Sequence, residues 1–200
     1  MNAIIPVYFD YASSLCYIAW RISARLEAEL EVTMSWRPVH MAAQGAECKP
    51  GDLIAGDTRA KIERVAGETG IALCIPECWC DSRAALEGLV LAEECGYPAA
   101  YHREVFGAAY ERGADIGNRT VLVHAAVAAG LPMGRFMEFV ATRRGAPRLA
   151  LIREEAHRLG VTGYPTFLLG EFPLTGIQPL ETMKLLVARH IERTRERLPQ

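Results

Sequence analysis

The sequence lacks the features of a membrane-spanning, secreted or nucleic-acid-binding chain. No apolar run approaches the roughly 18 residues that a membrane span requires, and the N-terminus has neither the basic start nor the apolar core of a secretory signal. Neither sign of charge dominates, because the formal net charge is only −2. We therefore expect a cytoplasmic protein with no nucleic-acid or membrane partner.

The chain also lacks any C-x2-C pair, internal repeat, low-complexity tract or linker. Without a linker, its 200 residues fit one domain, or one domain with a large insertion. In a cytoplasmic chain the cysteines are expected to be free thiols rather than a disulfide scaffold. There are six of them: Cys16, Cys48, Cys74, Cys78, Cys80 and Cys95.

The most informative stretch runs from Val7 to Trp20. It opens with Val7-Tyr8-Phe9, a β-branched and aromatic run that favours a buried strand. From Leu15 onward the apolar residues recur every three or four positions, which predicts a helix. Ser13 and Cys16 then lie at the positive end of that helix, where a negative charge or a thiolate is stabilised. We expect the chemistry of the protein here.

The remaining pattern predicts one small mixed sheet interrupted by helices, a thioredoxin-like α/β fold with a large α-helical insertion. The further predicted elements are a strand at 31–36, helices within 58–159, a hairpin at 166–169 and 172–175, and a closing helix from 178 to about 195. The expected domains are accordingly a discontinuous thioredoxin-like unit, 1–57 with 160–200, and a helical unit, 58–159.

The run Ser13-Ser14-Leu15-Cys16 has the spacing of a C-x-x-C redox site whose first cysteine is serine. In such sites the first thiol attacks and the second resolves the mixed disulfide, so Cys16 alone cannot close that disulfide. The Ser13 hydroxyl can instead donate a hydrogen bond to a thiolate brought by a ligand. The alternative is that Ser13, or Ser14, only caps the helix while Cys16 fills the core.

A second candidate feature is the run Gly163-Tyr164-Pro165-Thr166, directly before the predicted third strand. A proline suits a strand start because it lacks a ladder donor. Tight turns of this kind are also where cis-prolines occur. The alternative is an ordinary trans proline in a connection.

A third feature is the cysteine cluster of Cys74, Cys78 and Cys80. With Cys48 or His40 it could form a zinc site, but C-x3-C-x-C is not a standard zinc spacing, so no metal is expected. One of these thiols could instead resolve a disulfide with Cys16, or all three could be unlinked thiols lining a pocket. Structural or solvated roles are expected for all five histidines: His40, His102, His124, His157 and His190.

Taken together, these motifs resemble the DsbA-like thioredoxin superfamily, and most of all its FrnE-type branch. The similarity covers nearly the whole chain in order. It rests on FDYASSLCYIAW at 9–20, WRP at 36–38, ERGADIGN at 111–118, GVTGYPTF at 160–167 and LTGIQPLE at 174–181.

The resemblance implies roles for individual residues. Two relatives, the kappa-class glutathione transferases and the 2-hydroxychromene-2-carboxylate isomerases, also carry serine at the first position, where it stabilises the glutathione thiolate. This implies that role for Ser13. The residue before the family's cis-proline offers its backbone to a peptide or to glutathione. The resemblance therefore implies that Tyr164 and Pro165 bind substrate or glutathione, with Pro165 cis. It implies the same for Ser14, which directly follows Ser13.

Departures from these patterns leave the activity open. Ser14 replaces the proline both of the FrnE-type C-P-W-C and of the S-P-x-S of the transferases and isomerases. Cys16 stands where the isomerases have serine, and 176–179 lacks the isomerases' G-x-D-R motif. Three functions follow as hypotheses. They are a thiol-disulfide oxidoreductase or isomerase using Cys16, a glutathione-dependent isomerase or transferase using Ser13 on a small aromatic compound, and a non-catalytic peptide-binding module. Glutathione is the candidate cofactor, the substrate is a small-molecule or peptide thiol or disulfide, and the dimeric relatives suggest a homodimer.

Overall fold

The computed structural model describes residues 2–44 and 48–196, which form a four-stranded sheet and eight α-helices. In chain order the elements are β1 Ala3–Phe9, α1 Ser14–Glu29, β2 Val32–Pro38, a 3-10 helix at Met41–Gln44, α2 Gly56–Thr69, α3 Arg83–Cys95, α4 Pro98–Tyr110, α5 Arg119–Ala128, α6 Met133–Ala141, α7 Ala146–Arg158, β3 Thr166–Leu169, β4 Phe172–Thr175 and α8 Leu180–Glu196. No helix in these ranges is both long enough and apolar enough to cross a bilayer.

The sheet has the strand order β2-β1-β3-β4, with β1 in its interior. β2 lies parallel to β1, as expected when a helix such as α1 forms the crossover. β3 is antiparallel to β1 and pairs Tyr8 with Thr166. The C-terminal end of β1 therefore meets the N-terminal end of β3. This places the loop that leads into α1 beside the loop that carries Pro165.

Aromatic side chains join the sheet to the helical part of the chain. Phe9 at the end of β1 packs edge-on against Tyr11, with ring centroids 5.0 Å apart. Both rings contact Phe106 of α4. His102, one turn earlier on α4, shares a 3.0 Å hydrogen bond with the Tyr11 hydroxyl. α4 thus packs against the segment that follows β1 and is hydrogen-bonded to it.

The predicted α/β class and the helical block between the strands are confirmed, but several element ends differ. β1 begins at Ala3 rather than Val7, because pairing with β2 extends the strand towards the N-terminus. The sequence pattern predicts that the helix from Pro98 ends at Gly113, but α4 ends at Tyr110. The pattern also predicts a helix over 133–144, but α6 ends at Ala141, because Arg143 adopts a φ of 55° that no α-helix accommodates.

Gly88 on α3 tests how tightly the helical part is packed. A Cβ at Gly88 would overlap the Tyr101 hydroxyl and would lie 2.7 Å from Phe136 Cε2, so we expect Gly88→Ala to lower the free energy of unfolding by about 1–3 kcal/mol. A Cβ at Gly67 on α2 would meet no atom within 4 Å, so Gly67→Ala should raise stability by about 0.5–1 kcal/mol. Urea unfolding of both variants measures the two changes in the free energy of unfolding. Equal changes would contradict the tight packing around Gly88.

The buried His102 predicts an acid-sensitive core. Burial lowers the pKa of His102 to about 3, below the ordinary value near 6.5 that the unfolded chain retains. The unfolded state therefore binds more protons below pH 6.5, and the stability from neutral His102 is lost as the pH falls from there towards 3. Between pH 7 and pH 5 this loss is about 2 kcal/mol.

Urea unfolding at the two pH values measures that loss. His102→Gln should flatten the pH dependence, whereas His124→Gln, a change at an exposed histidine, should leave it intact. An unchanged slope in His102→Gln would show that His102 does not titrate as described.

Candidate active site

Ser13 caps the first helix at the end of the β1–α1 loop. Its backbone is extended, and its Oγ accepts a 3.4 Å hydrogen bond from the Cys16 amide, as the sequence pattern predicts. The Ser13 amide in turn donates to the Asp10 carbonyl at 3.1 Å, which closes the turn. Ser13, Ser14 and Cys16 are all buried. The predicted site residues of α1 therefore lie together below the protein surface.

Cys16 is not poised as a nucleophile. Its side chain is fully buried, and this burial raises the pKa of the Cys16 thiol to about 12. The neighbouring Ser13 hydroxyl favours the thiolate, while the negative charge of Asp10 opposes it, and neither outweighs desolvation. Cys16 is accordingly a neutral thiol near physiological pH.

Asp10 is a buried carboxyl beneath the helix start that the sequence pattern did not single out. Its two oxygens accept hydrogen bonds from the amides of Ala12, at 2.9 Å, and Met41, at 2.7 Å. It therefore ties the β1–α1 loop to the segment after β2. Burial raises the pKa of Asp10, although these amide bonds partly oppose the shift. An acidic residue placed three positions before a helix cap was the available sequence signal.

The loop before β3 is the second part of the site. The Tyr164–Pro165 peptide bond is cis, and Pro165 is buried. Thr166 holds the loop, because its hydroxyl donates to the Gly163 carbonyl at 2.7 Å and lies 2.8 Å from Thr175 Oγ1. The Pro165 carbonyl accepts a 2.7 Å hydrogen bond from Gly176. The end of the loop that leads into β3 is thus tied to β4 and to Gly176, which directly follows β4.

An apolar cluster joins this loop to the start of α1, and we call it the site cluster. Its buried members are Ala12, Met41 and Cys48, and Trp79, Cys80 and Tyr164 pack against them. Because Ala12 precedes Ser13 directly and Tyr164 precedes Pro165, the cluster brings together the two stretches that contain the five predicted site residues.

The cysteines of the predicted cluster are free thiols, and Cys78 and Cys80 line the same cleft. Cys80 belongs to the site cluster, and burial raises its pKa to about 12. Cys78 forms an isolated β-bridge with Leu53, and the exposed Cys74 lies against the Glu111 carbonyl. Among residues 2–44 and 48–196 no three His, Cys, Asp or Glu side chains converge as metal ligands. Cys48, which only the zinc hypothesis had named, lies instead in the site cluster.

Two aromatic hydroxyls above the site were also missed. Tyr110 donates a 2.8 Å hydrogen bond to the Tyr11 carbonyl, and Tyr11 bonds His102. These contacts join residues 99 and 91 positions apart, so short-range spacing in the sequence cannot predict them. The only sequence signal was that His102 shares the inward face of a helix with Tyr101, Val105 and Phe106.

Comparison with solved structures shows the same fold in several proteins of low sequence identity. A 2-hydroxychromene-2-carboxylate isomerase has a TM-score of 0.79 at 20% identity, over 98% of this chain and 100% of that chain. A probable DsbA oxidoreductase from Streptomyces coelicolor has a TM-score of 0.77 at 21% identity, over 100% and 93%. The cytosolic disulfide reductase DsbM from Pseudomonas aeruginosa, solved with GSH, has a TM-score of 0.67 at 21% identity, over 98% and 100%.

Comparison with curated proteins by sequence finds no match. A family model described as the DSBA-like thioredoxin domain matches residues 4–188, nearly the whole chain. This match and the shared fold confirm the predicted thioredoxin-like architecture with its helical insertion. The chain therefore belongs to the DSBA-like thioredoxin domain family.

Proposed function

We propose that this protein is a glutathione-dependent isomerase or transferase that holds the glutathione thiolate at the start of α1. The observation that carries the proposal is the difference between Cys16 and Ser13 at the start of α1. Cys16 is a fully buried thiol with a pKa of about 12, whereas Ser13 caps the helix. Since the chain supplies no ionised thiol on α1, a thiolate at this helix start would have to come from a ligand.

The residues of the helix start fit a thiolate. The first-turn amides of a helix have no intrahelical acceptor, and the helix dipole stabilises a nearby anion by about 0.3–1 kcal/mol. The Ser13 hydroxyl, which neighbours the Cys16 thiol, can donate to the stronger acceptor instead, and a hydrogen bond to a charged group contributes about 1.5–3 kcal/mol. Both effects lower the pKa of a thiol bound at this helix start and oppose the rise that desolvation causes.

An unperturbed thiol has a pKa near 8.5, so a lower pKa at this helix start moves a bound thiol towards the thiolate at neutral pH. Glutathione, when bound, supplies the nucleophilic sulfur. The chain's part is to orient that sulfur with Ser13 and the α1 amides.

The cis-proline loop supports the peptide part of the ligand. The resemblance assigns backbone recognition to the residue before the proline, and Tyr164 packs in the site cluster beside Ala12. Glutathione is a short peptide, and extended peptides bind by pairing with a strand end. We therefore include Tyr164, Pro165 and Ser14 in the proposed glutathione site.

The alternative of disulfide exchange by Cys16 is disfavoured by the same contrast. With a pKa of about 12, almost none of the Cys16 thiol is ionised at pH 7.5. Disulfide attack requires the thiolate and access to it, and Cys16 has no exposed surface.

Glutathione titrations test the role of Ser13. At pH 7.5 we expect calorimetry to show binding to the wild type, about tenfold weaker binding to Ser13→Ala because a charge-assisted bond is lost, and nearly unchanged binding to Cys16→Ala. S-methylglutathione, which has no ionisable thiol, should bind wild type and Ser13→Ala equally. No heat at millimolar glutathione, or equal glutathione affinity in Ser13→Ala, would end the proposal.

Alkylation kinetics test the role of Cys16. Because its thiol is buried and neutral while Cys74 is exposed, iodoacetamide at pH 8 should modify Cys74 at least 100-fold faster in the folded protein. In urea the two rates should converge. Mass spectrometry of digested samples reads out both sites, and rapid labelling of Cys16 in the native protein would restore it as a candidate nucleophile.

A further inference from the structure

A cleft of about 480 Å³ lies beside the proposed glutathione site. One wall is formed by residues 76–81 together with Pro50 and Gly51, and the other by residues from the end of α4 to Gly117. Its volume lies within the range that holds a small organic ligand.

The two walls are held together at both ends. At one end the Cys74 amide donates to the Tyr110 carbonyl at 2.7 Å. At the other end Gly117 approaches the backbone of Asp81 so closely that a Cβ would lie 3.3 Å from the Asp81 nitrogen. A Cβ at Gly117 would be tight against this backbone, so the two walls of the cleft lie in close contact at this end.

The inner surface of the cleft contacts the proposed site. Tyr110 lines the cleft, and its hydroxyl donates to the Tyr11 carbonyl two residues before Ser13. Cys80 lines it as well and packs in the site cluster with Ala12 and Tyr164. A ligand in the cleft would therefore lie next to the loop that carries Ser13.

The lining combines an aromatic surface with negative charge. Trp79 provides an aromatic ring, whereas the Tyr110 side chain is buried, and Glu77, Asp81 and Asp115 are the charged residues. Arg83 pairs with Asp81 at 3.1 Å, which leaves Glu77 on one wall and Asp115 on the other. Within the described part of the chain, no lysine, arginine or histidine lines the cleft.

We propose that this cleft binds the second substrate of the enzyme, an aromatic compound that carries a cationic amine, and that it rejects aromatic carboxylates. An ammonium group is attracted both by carboxylates on opposite walls and by the face of an aromatic ring such as that of Trp79. A ligand carboxylate would meet the same two charges, and none of the described residues that line the cleft is basic. The inference rests on the proposed function only in placing the bound compound beside a thiolate.

A matched pair of probes tests the charge selectivity, namely 2-naphthylmethylammonium and 2-naphthoate, titrated by calorimetry without glutathione. We expect the ammonium to bind at least tenfold more tightly than the carboxylate, since each facing carboxylate changes affinity about 3–10-fold at a distance near 5 Å. The double variant Glu77→Gln/Asp115→Asn should weaken ammonium binding about tenfold or more. The double variant Glu63→Gln/Glu68→Gln removes the same charge from exposed positions of α2 outside the cleft and should have little effect.

The outcomes separate this inference from the proposed function. Ser13→Ala should weaken glutathione binding and leave ammonium binding unchanged. If the wild-type protein binds the ammonium but no glutathione, the proposed function fails and the cleft proposal stands. Absence of ammonium binding at millimolar concentration, naphthoate binding of equal strength, or equal effects of the two double variants would each overturn the cleft proposal, whatever glutathione does.

Discussion

The pairing of β1 with strands on both of its sides is the constraint on which the site depends. β1 receives β2 in parallel and β3 in antiparallel register. The antiparallel register is what brings the start of β3 to the end of β1, although some 155 residues of chain lie between them. A shift of one residue would turn every side chain to the opposite face of the sheet and would separate Pro165 from the loop that carries Ser13.

Burial decides the electrostatics at this junction. The site lies where the sheet, α1 and α4 converge, and the aromatic rings of Phe9, Tyr11 and Phe106 exclude water from it. In that environment the charged form of any group is penalised unless it is paired. Cys16 responds by remaining a neutral thiol, and the pKa of Asp10 rises even though two amides bind its carboxylate. The same environment strengthens each hydrogen bond that a ligand anion would receive from Ser13.

The inserted helices contribute to the site and do not merely cover the sheet. α4 supplies the Tyr110 hydroxyl that holds the Tyr11 carbonyl and the His102 ring that bonds the Tyr11 hydroxyl. The turn after α4 supplies one wall of the acidic cleft. The segment between α2 and α3 supplies the other wall and also Cys80 of the site cluster. The helical insertion is therefore where this protein's substrate preference would be set.

Local sequence pattern was sufficient to predict much of the secondary structure of this molecule. The alternation of apolar residues predicted the strands and helices, the hydroxyl of Ser13 predicted a helix cap, and the position of Pro165 predicted a strand start, because each depends on residues within a few positions of one another. The sequence by itself thus determined the fold class and the position of the candidate site. Only the tertiary structure decided that Cys16 is buried, that Asp10 lies beneath the helix start, and that Cys48 and Cys80 share one cluster. These properties arise from water exclusion and from contacts between distant segments, and spacing along the chain encodes neither.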